Sequence, residues 1–182
     1  MSIVRQQFWR RMISSLLVAV AMLLSPWTAD AQGQDQRSPF WDVTRRVALD
    51  PTTYAPSVIM YHSAMLDWSS SRPFFRNGFV EHNRRFTVSG LPDDDAISYG
   101  AGRKLIRADT LETLGVSMAN NAAASLTERV LIQRYPSHRT LFRALGWIER
   151  ISLSSYWSYR LSVGHYRQWQ RNEQQSRQLG IR

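Results

Sequence analysis

Apolar positions in this chain fall into blocks whose spacing changes along its length. From Met12 to Leu24 the residues are apolar except for Ser14 and Ser15. Arg5, Arg10 and Arg11 precede that run, and Pro26 and Ala29-Asp30-Ala31 come after it. Positive charge, a short apolar core and a small-x-small site, in that order, predict a secretory signal over residues 1–31, cleaved after Ala31. The apolar core is too short for a comfortable membrane span, and an uncleaved N-terminal anchor is the alternative. Residues 32–50 read as a linker and capping segment, polar from Gln32 to Ser38, with Pro39, Phe40, Trp41 and Val43 available to dock on a bundle.

Asp50-Pro51 is a helix-start signal. The pattern predicts a helix from about Thr53 to Phe75, its ends frayed by Pro56 and Pro73. Val58, Ile59, Met60, Ala64, Met65, Leu66 and Trp68 cover it nearly all round, as expected of a central helix. Gly78 ends it, and Phe79 to Val88 reads as extended. Gly90 to Asp95 is turn chemistry that also offers an N-cap to the next helix. A second helical region covers about Ala96 to Gln133. Gly100 and Gly102 suggest a separate first piece ending near Arg107. Further on, Leu111, Leu114, Met118, Ala122 and Leu126 mark an apolar stripe at helical spacing. Gly115, Ala119 and Ala123 would let another backbone approach. Tyr135-Pro136 breaks this helix, Ser137 caps a last one reaching about Gln170, and residues 172–182 read as a loose polar tail. The expected fold is all-α: a small bundle of three to four main helices in one domain over residues 51–171, after an N-terminal signal helix.

Composition narrows the classes of function. The 182 residues carry 23 basic and 14 acidic side chains, and removal of residues 1–31 would leave 20 and 13. Lys104 is the sole lysine. A basic exported protein is drawn to anionic envelope surfaces, and its destination makes nucleic acid the less expected partner. With no cysteine there is no disulfide framework, thiol nucleophile or Cys-type zinc site. No Walker loop, Gly-x-Ser-x-Gly elbow, His-Glu-x-x-His or Glu-x-x-His pair is present, so no spacing implies a cofactor or a metal centre.

Polar groups inside segments patterned for burial are the remaining candidates, since a buried polar group must be paired. Asp67 shares a helix face with Ser63, Ser70 and Ser71. Glu81 and Asn83 lie on one side of an extended segment with His82 on the other. Ser117, Asn121, Ser125 and Glu128 form one polar ladder, and Ser155, Ser158, Ser162 and His165 a second; Glu149 sits among Leu145, Ile148 and Leu153. Facing ladders would make a hydrogen-bonded seam. The competing possibility is a cleft in which Asp67, Glu128, Glu149 and His165 act as acid or base. The last helix also interleaves Trp147, Tyr156, Trp157, Tyr159, Tyr166 and Trp169 with Arg143, Arg150, Arg160, Arg167 and Arg171, a composition suited to an anionic lipid surface.

The run Asp67-x-x-Ser70-Ser71, with Gly78-x-x-Glu81-x-Asn83 after it, resembles the Asp-x-x-Ser/Thr-Thr…Gly-x-x-Glu-x-Asn-Pro pattern of small uncharacterised bacterial helical proteins, many of them membrane-embedded. The likeness covers about seventeen residues. It departs at Arg84, where the proline would stand, and in the more polar later helices. It implies that Asp67, Glu81 and Asn83 form a linked group, and it supplies no reaction.

These features support three functional expectations. The first is a non-enzymatic envelope protein resting on an anionic membrane surface or an envelope partner. The second is a small periplasmic enzyme or metal-binding protein in which Asp67, Glu81 and His165 converge. The third is an integral membrane protein, against which Asp67, Asn120 and Asn121 would be costly in lipid.

Overall fold

The computed structural model describes residues 39–181, so the expected signal and its cleavage site lie outside the described residues. The described chain is all-α. Its helices are α1 (Pro39–Leu49), α2 (Pro51–Arg76), α3 (Tyr99–Arg134) and α4 (Arg139–Leu179), with short 3-10 turns at Arg84–Phe86 and Pro136–His138. Extended pairing among the described residues is confined to two isolated bridges, Glu81 with Asp94 and Thr87 with Ala96.

The chain divides into two compact units where one domain was expected. Among the described residues, 39–50 with 118–150 make one, and 51–117 with 151–181 the other. α3 and α4 therefore contribute to both, α1 only to the first and α2 only to the second.

In the first unit, residues 39–49 are helical where a linker and capping segment was expected. Val43 and Val47, one turn apart, give α1 its buried edge. Asp42 in its first turn and Arg46 in its last complement the helix dipole. Phe40 and Trp41, expected to dock, stay exposed. On α3 the expected polar ladder, and not the apolar stripe, supplies the buried positions between residues 118 and 134. Met118 of the predicted apolar stripe is exposed, whereas Asn121, Ser125 and Glu128 are buried. Leu111 of the same stripe, in the second unit, is 69% exposed.

In the second unit, Met60, Ala64 and Trp68 of α2 and Ile106 of α3 form the core, flanked by Tyr61, Met65, Phe75, Phe86, Ala96, Ile97, Tyr99 and Leu161. Small polar residues share that interior: Thr53, Ser57 and Ser63 on α2, and Ser154, Ser158 and Ser162 on α4. Ser57 Oγ donates to the Tyr54 carbonyl at 2.8 Å, Ser63 Oγ to Met60 at 2.9 Å and Ser162 Oγ to Ser158 at 2.6 Å, so these hydroxyls are satisfied along their own helices. α2 ends in a Schellman turn. Gly78 is left-handed (φ 79°), its N–H reaches the Phe75 carbonyl, the Phe79 N–H reaches Phe74, and the two phenyl rings close edge to face at 5.5 Å.

α3 is continuous from Tyr99, without the break expected near Arg107. A Cβ on Gly102 would lie 2.3 Å from the Trp68 ring, so this glycine serves close packing of the indole and does not interrupt the helix. α4 likewise runs to Leu179 where a loose tail was expected from residue 172. Asn172 is buried, and Gly180 (φ 65°) lets the Ile181 N–H close on the Ser176 carbonyl at 3.2 Å.

Candidate functional site

The polar residues singled out in the sequence separate into four groups. In the second unit, α2 and α4 meet through a polar zipper. The Asp67 Oδ2 and His165 Nδ1 lie 2.7 Å apart. An ionised carboxylate has no proton to give, so in that pairing Nδ1–H donates and the imidazole orientation is fixed. Two turns along α4, Asn172 Nδ2 donates to Ser70 Oγ at 3.0 Å and to Ser71 Oγ at 2.9 Å, while both hydroxyls donate to the Asp67 carbonyl. Gln168 Nε2 holds the Asn172 Oδ1 at 2.9 Å. His62 Nδ1 and the Tyr166 hydroxyl, 3.0 Å apart, add a more exposed rung. From Asp67–His165 to Ser70 and Ser71–Asn172 the contacts advance along both helices, so α2 and α4 run in the same direction here.

Glu81 and Asn83 do form a linked pair, but apart from Asp67. Glu81 Oε1 accepts the Asn83 N–H at 2.7 Å, and Asn83 Oδ1 accepts the Arg85 N–H at 3.2 Å, capping the first 3-10 turn. In the same segment His82 pairs with Asp93. The hydrogen bond and charge of Asp93 raise the His82 pKa above its ordinary value, helped by Glu81. Asp94 is held low by Ser89, whose hydroxyl and N–H bond its carboxylate, and by the Asp95 backbone.

Glu128 belongs to the first unit. Its side chain, 4% exposed, accepts from Arg46 Nη1 at 3.1 Å and from Arg150 Nη1 at 3.2 Å, and Arg150 Nε lies 3.1 Å from Asp50. A Cβ on Gly146 would stand 2.7 Å from Glu128 Oε2, so the carboxylate occupies the space that this glycine leaves. Arg150, expected at a surface from the sequence, is thus an internal ion-pair partner. Glu149 lies on the exposed side of α4. Desolvation of its carboxyl raises its pKa, opposed by the charge of Arg150 and a hydrogen bond with Asn120.

Of the expected surface residues, Arg143, Arg160, Arg167 and Arg171 are exposed, while Trp157 and Trp169 are half-buried. The exposed apolar side chains of α4 include Trp147, Tyr156 and Tyr159 of the expected aromatics together with aliphatic residues. Leu141, Leu145 and Ile148 stand at i, i+4, i+7 and are each about half exposed, and Tyr156 and Tyr159 are more open still. In the second polar ladder Ser158 and Ser162 are buried and His165 is half-buried, and only the first rung moves, from exposed Ser155 to buried Ser154.

Asp67 and His165 have the geometry of an oriented imidazole, which in an enzyme serves as a base or acid. The partners around them are already engaged: Ser70 and Ser71 are held between the Asp67 carbonyl and Asn172. The clefts found among the described residues have other linings. No group of three or more His, Asp or Glu residues among the described residues is placed to hold a metal ion. Sequence reasoning missed Asn172, seven residues after His165 and hence on the same face, because it was counted as tail. It also missed Arg46 and Asp50, whose roles come from contacts distant in sequence. Comparison with family models, curated proteins and solved structures finds no match for this chain.

Proposed function

We propose that this chain is a non-enzymatic, exported envelope protein that rests on an anionic membrane surface. The observation that carries the reading is the burial of polar residues and exposure of apolar ones on α4 and the later part of α3. In the first unit Asn121, Ser125 and Glu128 are inside, while Leu141, Leu145, Trp147 and Ile148 face out. Arg139 and Arg143 are exposed on the same helix. In the second unit the serine stripe of α4 is inside, and Tyr156 and Tyr159 lie outside with Arg160 and Arg167. Apolar side chains flanked by arginine suit the interfacial zone, where rings and aliphatic groups enter the headgroup layer and guanidinium groups meet phosphate. No helix among the described residues is long and apolar enough to cross a membrane.

The test is fractionation of the expressed protein with a carbonate wash and N-terminal sequencing. The reading expects a wash-released chain beginning at Gln32. Resistance to the wash favours the integral alternative, and recovery with the soluble fraction in the absence of membrane favours an envelope protein partner. The enzyme reading rests on the 2.7 Å Asp67–His165 pair. It requires a small substrate to perturb the His165 ring resonances, an effect that Asp67→Asn abolishes.

A further inference from the structure

Arg72 and Arg76 stand one turn apart on α2, and both are exposed. Elsewhere in this unit Arg85 is paired with Asp109. Neither Arg72 nor Arg76 has a carboxylate at ion-pair distance among the described residues. The Arg72 guanidinium instead lies over the Tyr99 ring, 5.1 Å from its centre, a contact that orients the fork while leaving its N–H donors at the edge. Beside the two arginines is a cleft of about 230 Å³ walled by Trp68, Phe75, Ala96, Ile97 and Tyr99.

The walls are built to stay put. Trp68 Nε1 donates to the Tyr99 carbonyl at 3.1 Å, its ring lies parallel to Tyr99 (4° between planes), and Phe86 and Phe75 pack on it at 5.0 and 5.5 Å. Gly102 gives the indole its space on α3. Fixed walls reduce the ordering cost of binding. We propose that this cleft is a binding site for a phosphate anion carried on an apolar body, with Arg72 and Arg76 on the phosphate and Phe75, Ile97 and Tyr99 against the apolar part. Guanidinium pairs match phosphate oxygens in geometry and charge, and the cleft is sized for a headgroup rather than a whole drug-sized ligand. A phospholipid headgroup and free inorganic phosphate share that chemistry. The lipid source rests on the membrane-surface role proposed for the chain; the phosphate site itself does not.

The test is a titration of the labelled protein monitored through the Trp68 indole N–H and the Tyr99 amide. The probes are dihexanoyl phosphatidylglycerol below its micelle concentration, inorganic phosphate, and dihexanoyl phosphatidylcholine. The expected result is a saturable shift with phosphatidylglycerol, weakened at least ten-fold in the Arg72→Gln/Arg76→Gln double variant, whose exposed positions leave helicity unchanged. Shifts with inorganic phosphate alone, lost in that variant, support the site and assign it to free phosphate. No shift with phosphatidylglycerol or phosphate, or an unweakened shift in the double variant, overturns it, whereas a shift with phosphatidylcholine that the double variant loses supports it. Vesicle sedimentation separates this outcome from failure of the membrane-surface role. Wild type that sediments without these shifts removes the site alone, whereas shifts without sedimentation remove the surface role alone.

Discussion

At Glu128 the local chemistry is demanding: a nearly enclosed carboxylate holds one exposed arginine and one buried one. Removing the acid leaves Arg150, 13% exposed, with Asp50 as its remaining ion-pair partner. We expect Glu128→Ala to cost about 1–3 kcal/mol in chemical denaturation, because Arg150 loses a charged acceptor in a mostly enclosed site while Asp50 still offsets its charge. Arg46→Ala should cost under about 1 kcal/mol, since that side chain is largely solvated. At Gly102 the added methyl of alanine meets the Trp68 ring. Overpacking of this kind costs about 1–3 kcal/mol, more than the gain in helix propensity offsets. The expected readouts are a lowered midpoint and an altered near-ultraviolet tryptophan signal.

His82 and Asp94 give the segment between α2 and α3 a pH window. The His82 pKa is raised from 6.5, so its contribution is full below that value and is lost as pH rises through the raised folded pKa. The Asp94 pKa is lowered from 3.8, so its contribution is present above that value and is lost as pH falls through the lowered one. Amide exchange over residues 81–96 should therefore be slowest between roughly pH 4 and 6.5 after correction for the intrinsic rate. Asp93→Asn should remove the upper edge of the window while leaving the lower one.

At the scale of elements, α4 makes the strongest prediction. Asn172 is 5% exposed and joins Gln168 to Ser70 and Ser71. Ending the chain at Gln170 should destabilise the second unit by about 2 kcal/mol or more, because the two serine hydroxyls and Gln168 lose their common partner. A loose tail would leave the denaturation midpoint unmoved.

The same helices show how much was legible. Helix starts and stops arise from local chemistry, and α2 was placed almost to its ends by Pro51 and Gly78. The inward face of α3 and α4 was legible in the polar ladders, where Asn121, Ser125, Glu128, Ser158 and Ser162 are buried, and misjudged in the apolar stripe. Periodicity marks a stripe without saying that the interior is polar, and here Ser125 and Glu128 are buried while Met118 is open. The Gly102 break was misread because a glycine that opens space for Trp68 looks in sequence like one that weakens a helix. Asp67 and His165 were both identifiable as polar groups needing partners. The enzyme alternative had already brought them together with Glu81, and the packing of α2 on α4 joins them across 98 positions. Glu81 was linked to Asp67 through a pattern likeness, and its hydrogen-bond partner is two residues away.

For the whole molecule, the proposed surface role combines net positive charge, which would bring the protein to an anionic surface, with outward apolar side chains, which would hold it there. Surface attraction is screened by salt over a Debye length of about 8 Å at physiological ionic strength, whereas apolar insertion is not. Leu141→Ser/Leu145→Ser/Ile148→Ser should therefore weaken attachment without changing its salt dependence, because all three side chains are about half exposed in the free protein. The proposed attachment makes no use of the Asp67–His165 pair, so Asp67→Asn should bind as wild type does.

The most direct measurement is co-sedimentation of the purified protein with phosphatidylglycerol-containing and pure phosphatidylcholine vesicles across a salt series. Binding to the anionic vesicles alone, falling with salt and unchanged in Asp67→Asn, is the predicted result. Indifference to lipid charge, or no binding to either vesicle at low salt, would contradict the central claim.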